Sequence, residues 1–367
     1  MNLGKKQIST KQLIFSIVCF IQASSLIANF STSVTAHETW IAVIAGYLIS
    51  LPVLLIYTIL SKTFPGKDIV EINIELFGNI PGRLLSLLYI YFFFSLAFLN
   101  TQIVGNFMSG FLLSKTPIII IYAMFISICV YAVRSGVEVI ARFSFVFACV
   151  IFLILFLTSL LLIKDMKLSN FFPVFSLPIK KYVQSAHTMA TLPFCEILSF
   201  FMLFPYADQP GKTSRVLLVG MTIGAITILV TVLRDTLVLG PSISFFTFPN
   251  YQTIRQIQVG STSSRMEVLY AIALLMLMFF KVSILLFATV KGITEVLNLH
   301  AYKNLAPTIG VLIIISALTA FGSIADHAFW GANIAAVYST FFVVILPGIS
   351  LLTLAIKKKT SSLNRIN

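Results

Sequence analysis

Two charged residues lie near the middle of apolar segments that are long enough to cross a bilayer: Glu196 in segment 186–206 and Lys281 in segment 269–291. A charge at the bilayer centre costs about 2.5–3.5 kcal/mol on insertion scales, so each must face protein or water. We predict that both are functional, because intramembrane ionisable residues mark substrate and ion sites. Two alternatives remain: a buried Glu–Lys pair that only ties helices together, or a lysine that extends to the interface.

Two of the apolar segments also contain residues that interrupt a helix. In segment 12–34, the run Gln22-Ala23-Ser24-Ser25 breaks an apolar stretch, and in the sixth segment Pro193 removes a backbone donor three residues before Glu196. Backbone groups freed at membrane depth are tolerated only beside a cavity or protein. Interruptions in corresponding segments of two halves indicate a transporter-type binding site at the midplane. The alternative is that the serines only allow close helix packing.

No motif for catalysis or metal binding is present. The sequence lacks a G-x-S-x-G, a P-loop and an H-E-x-x-H pattern, and its four histidines are far apart near segment ends. The four cysteines lie in apolar segments without a C-x-x-C or a nearby histidine. We therefore expect no enzyme activity, no disulfide, no metal site and no cofactor.

The composition indicates a polytopic α-helical membrane protein. Of 367 residues, 58% are hydrophobic and 10% charged, with a mean hydropathy of +1.00, whereas globular proteins carry about 25% charged residues. This excludes a soluble enzyme and a nucleic-acid-binding domain. The net charge of +13 fits basic loops between spans, and no nucleic-acid partner is expected.

Ten candidate spans follow from the apolar segments, within a single transmembrane permease-like domain over residues 1–367. They are 12–34, 40–62, 83–112, 117–134, 142–164, 186–206, 215–239, 269–291, 305–323 and 330–356. Ten spans put both termini on one side. The loops on that side hold about twice as many Lys and Arg residues as the others, with Arg234 counted outside, which predicts cytoplasmic termini.

Two connections are predicted to contain short helices. Asp68-x-x-Glu71 is a capping-box pattern that begins a helix on the inner face. On the outer side, Pro249 begins an amphipathic helix, and its apolar face is formed by Tyr251, Ile254, Ile257 and Val259.

The order of short motifs along the whole chain carries a resemblance to a known family. They are Gln7-Ile8-Ser9-Thr10-Lys11-Gln12, Ala23-Ser24-Ser25-Leu26, Phe64-Pro65-Gly66-Lys67, Leu113-x-x-Thr116-Pro117, Gly136-x-Glu138-Val139-x-Ala141-Arg142, Phe172-Pro173-Val174, Phe194-Cys195-Glu196, Phe204-Pro205, Phe280-Lys281 and Lys291-Gly292. With these, the chain resembles the spore germination permeases. They are the B subunits of Ger-type nutrient germinant receptors, in the amino acid/polyamine/organocation superfamily.

The resemblance implies a LeuT-like fold, an inverted repeat of five plus five helices in which helices 1 and 6 are broken. It also implies three partners. One is a small nutrient, which is an amino acid or a sugar, and the others are an A-type membrane subunit and a C-type lipoprotein. The location implied is the bilayer of the inner spore membrane.

A ligand pocket among helices 1, 3, 6 and 8 is implied by the same resemblance. The matching positions are Ala23, Ser24, Ser25, Phe92, Leu96, Asn100, Phe194, Cys195, Glu196, Lys281 and Leu285. The family often has glycine at the helix 1 break and before the helix 6 acid. Some relatives have an acid at Asn100 and a small hydroxyl residue at Lys281, so the resemblance leaves the ligand open.

The expected mechanism places a ligand carboxylate at the helix 1 break, where free amides attract an anion, and an ammonium at Glu196. Sodium-coupled members of the wider fold bind sodium between helices 1 and 8, where Lys281 would replace the ion permanently. Three functions remain open: a nutrient-sensing receptor subunit, a proton-coupled amino-acid transporter and a purely structural scaffold.

Overall fold

Helices make up nearly all of the ordered structure in the computed structural model, which describes residues 7–25, 29–257 and 266–363, and side chains over 7–24, 30–257 and 266–359. Within these ranges the only strand-like pairing is an isolated bridge between Ile8 and Ala207. The α-helices in chain order are α1 (Thr10–Ser25), α2 (Asn29–Thr35), α3 (Thr39–Thr63), α4 (Ile69–Phe77), α5 (Asn79–Phe107), α6 (Ile118–Ser135), α7 (Val137–Leu161), α8 (Ile179–Met189), α9 (Thr213–Leu239), α10 (Pro249–Arg255), α11 (Glu267–Val296), α12 (Ala306–Thr319), α13 (Ile324–Asn333), α14 (Ala335–Thr340) and α15 (Leu346–Leu363).

Seven helical stretches of the described chain are long and apolar enough to cross a membrane, which supports an integral, multi-pass protein. They are Phe30–Thr63, Asn79–Leu112, Ile118–Ser135, Val137–Leu161, Pro210–Phe245, Glu267–Val296 and Ala335–Lys359. An eighth is formed if α12 and α13, which meet at a bend of 96°, are one span. The all-helical membrane class is confirmed, and the count of ten spans stays a prediction.

The predicted first and sixth spans do not meet the length criterion by themselves. The first corresponds to α1, with 16 residues, and to α2, and the three residues between them lie outside the described ranges. In the sixth span, α8 continues as a π-helical turn, Ala190–Phe194, and then as a 3-10 helix, Cys195–Met202. Pro193 lies inside the π turn, where its missing N–H removes one helical hydrogen bond. The predicted interruption is therefore a change of helix type and not an unwound segment.

Both short connecting helices are confirmed. The Asp68 carboxylate accepts hydrogen bonds from the backbone N–H groups of Val70 and Glu71, and the Glu71 carboxylate accepts one from the Asp68 N–H. This is the capping box that begins α4. In α10, Tyr251 and Ile254 are buried as predicted, whereas Val259 lies outside the described residues.

Close packing at small residues brings α1 against the rest of the bundle. A Cβ atom at Gly220 would lie 2.8 Å from the Ile17 side chain, and one at Gly224 would lie 2.8 Å from Ile21. Glycine at these positions lets α9 lie directly on α1. Helix α1 also packs on α11, and α11 packs along α5 and against the 3-10 helix Cys195–Met202. These contacts bring together the parts of the three helices on which Ser24, Glu196 and Lys281 lie.

Candidate functional site

Three polar side chains from three separate elements meet in the interior. Lys281, near the middle of α11, directs its ammonium Nζ between α1 and the 3-10 helix that follows the π turn. Nζ donates to the Glu196 Oε2 atom at 2.6 Å and to the Ser24 Oγ atom at 2.7 Å. Relative exposures are 0% for Lys281, 1% for Glu196 and 3% for Ser24, so the cluster is closed to solvent.

An aromatic ring covers the ammonium on one side. The Lys281 Nζ atom lies 4.9 Å from the centroid of the Phe20 ring, which packs edge-to-face on Phe200 at 5.4 Å. A cation over a desolvated ring is stabilised by about 2 kcal/mol. Phe20 on α1 therefore stabilises the same charge that Ser24 and Glu196 bind, and Phe200 packs against the Phe20 ring.

The cluster carries one positive and one negative charge, and this balance decides what it can do. The buried Glu–Lys pair, which the sequence left as an alternative, is the arrangement present. A buried pair gives little net stability against apolar residues of the same size, whereas removing one partner costs about 3–5 kcal/mol. The pair can therefore exchange its partners for the opposite charges of a ligand, provided that both are replaced together.

The other predicted site residues whose side chains are described are also buried, but their aromatic and hydrogen-bond contacts are with neighbours outside the cluster. Phe92 stacks on Phe342 with centroids 4.7 Å apart, and Phe194 packs edge-to-face on Tyr47 at 5.9 Å. The Cys195 carbonyl accepts a hydrogen bond from Tyr57 at 3.2 Å.

Asn100 is the one of these residues with an unused polar atom. Its amide donates to the Leu96 carbonyl at 2.7 Å, whereas its Oδ1 atom is buried without a hydrogen-bond partner. Ala23 and Leu285 are fully buried apolar residues, and Ser25 ends α1 but its side chain lies outside the described residues. Asn100 therefore keeps an acceptor that a ligand could use.

A second buried ion pair was missed by the sequence analysis. Arg234 was assigned to an outer loop, and this is wrong: it is 3% exposed within α9. Its guanidinium binds the Asp235 carboxylate at 2.8 Å and also donates to Thr158 and Asn250. The signal in the sequence was an adjacent pair of opposite charges at the end of an apolar segment.

Glu38 is a second polar group that the sequence analysis did not single out. It is buried between α2 and α3, and its carboxylate accepts hydrogen bonds from the Phe175 N–H, from Ser176 and from the Tyr182 hydroxyl. These donors fix the connection before α8 onto the start of α3. Among the described residues, no group of three or more His, Cys, Asp and Glu side chains could hold a metal ion.

Comparison with known proteins supports the same architecture. The chain is 29% identical over 361 residues to spore germination protein KB of Bacillus subtilis (strain 168), covering 97% of this chain and 96% of that protein. Its structure is similar to MhsT in complex with L-phenylalanine, with a TM-score of 0.65 at 16% identity over 96% of this chain and 90% of that one. It is also similar to a substrate-bound, Na+-coupled sialic acid symporter, with a TM-score of 0.65 at 10% identity over 93% and 78%.

The transporters share the fold, and their low identity supports no statement about their ligands in this chain. A family model described as spore germination protein matches residues 7–323, most of the chain. The motifs, the membrane helices and this match agree, and the chain belongs to the spore germination permease family.

Proposed function

We propose that this protein is the nutrient-sensing membrane subunit of a spore germinant receptor. It binds a small nutrient, an amino acid or a sugar, in a midplane pocket and triggers germination together with an A-type membrane subunit and a C-type lipoprotein. Its location is the inner spore membrane, with both termini cytoplasmic. Family membership and the transporter fold support this assignment.

The same proposal includes a single permease-like domain with ten spans, in two inverted halves of five. The packing pattern supports it. Helix α1 of the first span packs on α9 of the seventh, and α8 of the sixth packs on α3 of the second. If the two halves are exchanged, the first span takes the place of the sixth and the seventh takes the place of the second. The α1–α9 contact then corresponds to the α8–α3 contact. Spans three and eight, α5 and α11, pack on each other as such an exchange requires.

The observation that carries the proposal is the buried triad of Ser24, Glu196 and Lys281. A free amino acid has one ammonium and one carboxylate, so it can take over both partners of the internal pair. Its ammonium would bind Glu196, and its carboxylate would bind Lys281 and Ser24. Since the triad has no net charge, we expect a neutral amino acid or a sugar to be preferred over an acidic or basic ligand.

The other matched positions form the walls of the proposed pocket. Phe92, Leu96, Phe194 and Leu285 supply apolar surface, Ala23 and Cys195 supply small side chains, and Ser25 and Asn100 supply polar groups. Asn100 is the strongest candidate for a hydrogen bond to the ligand, because its buried Oδ1 atom has no protein partner. A buried acceptor without a hydrogen bond costs about 1–3 kcal/mol, which a donor on the ligand would recover.

A nutrient screen on spores tests this function directly. Spores lacking the gene and spores complemented with it receive L-amino acids, sugars and potassium singly and in combination, and release of dipicolinate is measured. We expect one nutrient response to disappear with the gene and to return with complementation. Unchanged responses in spores that also lack their other germinant receptors would contradict the receptor assignment.

A proton-coupled amino-acid transporter is the second candidate, favoured by the similarity to solved transporters. The two functions differ in what happens to the ligand after binding. Uptake of radiolabelled amino acids into vesicles, driven by a pH gradient, would support transport. Binding without uptake, in a gene next to those for an A-type subunit and a lipoprotein, would support sensing.

A further inference from the structure

The carboxyl groups of Asp68 and Glu295 are neighbours where α4 begins, past the end of α3 that is remote from Glu38. Asp68 is 1% exposed, and its Oδ1 atom accepts both hydrogen bonds of the α4 cap. Its Oδ2 atom is buried and has no donor, and the same is true of the Glu295 Oε2 atom in the last turn of α11. Two buried acceptors without a donor are costly, at about 1–3 kcal/mol each.

One proton satisfies both atoms at once. The Asp68 and Glu295 carboxyl groups lie within hydrogen-bonding reach of each other, but two carboxylates have no hydrogen to share. The other Glu295 oxygen, Oε1, accepts from the Lys291 ammonium one turn earlier on α11. The three groups carry a net charge of −1 when both acids are ionised and are neutral with one proton added.

We propose that Asp68 and Glu295 form a proton-binding site that joins the start of α4 to the end of α11. Protonation creates the missing O–H donor, so the hydrogen bond between the two carboxyl groups forms only in the protonated state. Loss of the proton leaves two carboxylates in contact, which repel each other and loosen α4 from α11. This proton-binding site is separate from the proposed ligand site, because it uses none of the residues of the Ser24–Glu196–Lys281 triad.

Among the described residues, Lys291 is the one cation with an ion pair to either carboxyl group. The titratable and charged groups around it are Lys67, Glu71 and Glu75 beside the cap and on α4, Arg83 on α5, Glu138 on α7, Tyr206, Lys291 on α11, His300, Tyr302 and Lys357 on α15. Lys67 binds Glu75, Lys357 donates to the Glu75 carbonyl, and Arg83 binds Asn79 and Asn298. Lys291 alone acts on Asp68, and its ammonium binds Glu295.

Burial and the neighbouring Glu295 carboxyl raise the pKa of Asp68 to about 8, from an ordinary 3.8. Between these two values the folded protein binds more protons than the unfolded chain, so stability decreases as the pH rises through this range. The contact made by the shared proton is complete at lower pH and is lost as the pH passes about 8. The site therefore titrates near neutral pH, where ordinary aspartates are fully ionised.

Infrared spectroscopy of the full-length protein in lipid nanodiscs tests the site. We expect the carbonyl band of one protonated carboxyl group at about pH 6, lost with a midpoint near pH 8. Asp68→Asn keeps the helix cap, since Asn is as good an N-cap as Asp, and its amide supplies a permanent donor to Glu295. Glu295→Gln supplies the donor from the other side. Each variant should lack the titrating band.

Glu71→Gln is the matched control, because a Gln keeps the capping box while removing an acid three residues away. It should titrate as the natural protein does. The proposal is overturned if the band persists unchanged in Asp68→Asn, or if the natural protein shows no such band at neutral pH. If Asp68→Asn fails to fold, Glu295→Gln alone decides between these results.

Discussion

The two buried ion pairs hold their charges in different ways. Arg234 and Asp235 are adjacent on α9, and the guanidinium is bound by Asp235, Thr158 and Asn250 together. Lys281 and Glu196 are 85 residues apart, on different elements, and the ammonium also donates a hydrogen bond to Ser24 on a third element. The Arg234–Asp235 contact is formed within one helix, whereas the contacts of Lys281 form only when three elements pack together.

This difference indicates which pair can respond to a ligand. The contacts of Lys281 depend on the relative positions of α1, α11 and the Cys195–Met202 helix, whereas the Arg234–Asp235 contact is kept when α9 moves as a rigid body. We therefore propose that the Arg234 pair fixes α10 and α7 on α9, and that the Lys281 pair binds the ligand. Variants of the two pairs test that proposal.

Removing one member of the Glu196–Lys281 pair should cause the largest loss of stability. Lys281→Met leaves a buried carboxylate without its cation, and Glu196→Gln leaves a buried ammonium, so each should lower the free energy of unfolding by about 3–5 kcal/mol. The double variant Glu196→Gln/Lys281→Met has no uncompensated charge and should recover most of this loss. Thermal unfolding in detergent measures all three, and additive single effects would contradict direct coupling.

Asp235→Asn should lower the free energy of unfolding by less than the single variants of the Glu196–Lys281 pair. Arg234 keeps Thr158, Asn250 and the side-chain carbonyl oxygen of the introduced amide as acceptors. We expect a loss of about 1.5–3 kcal/mol, the value of one hydrogen bond to a charged group. The germination response should be normal once protein abundance is matched. A nutrient response abolished in this variant at normal abundance would remove the distinction between the two pairs.

Ser24→Ala should weaken the response to the nutrient without abolishing it. Lys281 keeps Glu196, but the ligand carboxylate loses one hydroxyl donor, so the nutrient concentration for half-maximal germination should rise about tenfold, equivalent to about 1.4 kcal/mol. Thr158→Val removes a comparable hydroxyl beside Arg234 and serves as the control. Its dose–response curve should not shift, and equal shifts in both variants would argue against a specific role for Ser24.

Replacing sodium should have no effect. The Lys281 ammonium donates a hydrogen bond from α11 to Ser24 on α1. We propose that it takes the place of the sodium ion that sodium-coupled members of the wider fold bind between helices 1 and 8. Germination in sodium-free buffer, with potassium or choline at equal ionic strength, should follow the same time course. A response that increases with sodium concentration would show that Lys281 does not replace the ion.

The sequence was sufficient to find the charges of the site, because formal charges inside long apolar segments are rare and costly. It also predicted the α4 cap, where the signal lies within four residues. The meeting of Ser24 with Lys281 could not be derived from spacing, since they are 257 residues apart. Their contact depends on how α1 and α11 pack.

Packing also explains what the sequence could not predict. The stacking of Phe92 on Phe342 could not be predicted, because one of 34 phenylalanines gives no local indication of such a partner. The burial of Arg234 within α9 could not be predicted from its place near the end of an apolar segment. Its burial depends on Thr158 from α7 and Asn250 from α10, which become neighbours only in the folded chain.

The germination response of spores that carry Glu196→Gln/Lys281→Met is the most direct test of the central claim. These spores are compared with Asp235→Asn spores at matched protein abundance, in the nutrient panel, with dipicolinate release as the readout. We expect the double variant to be present in the membrane but to give no response to the nutrient that the natural gene restores, whereas Asp235→Asn responds normally. A normal response from the double variant would show that the Glu196–Lys281 pair only ties helices together.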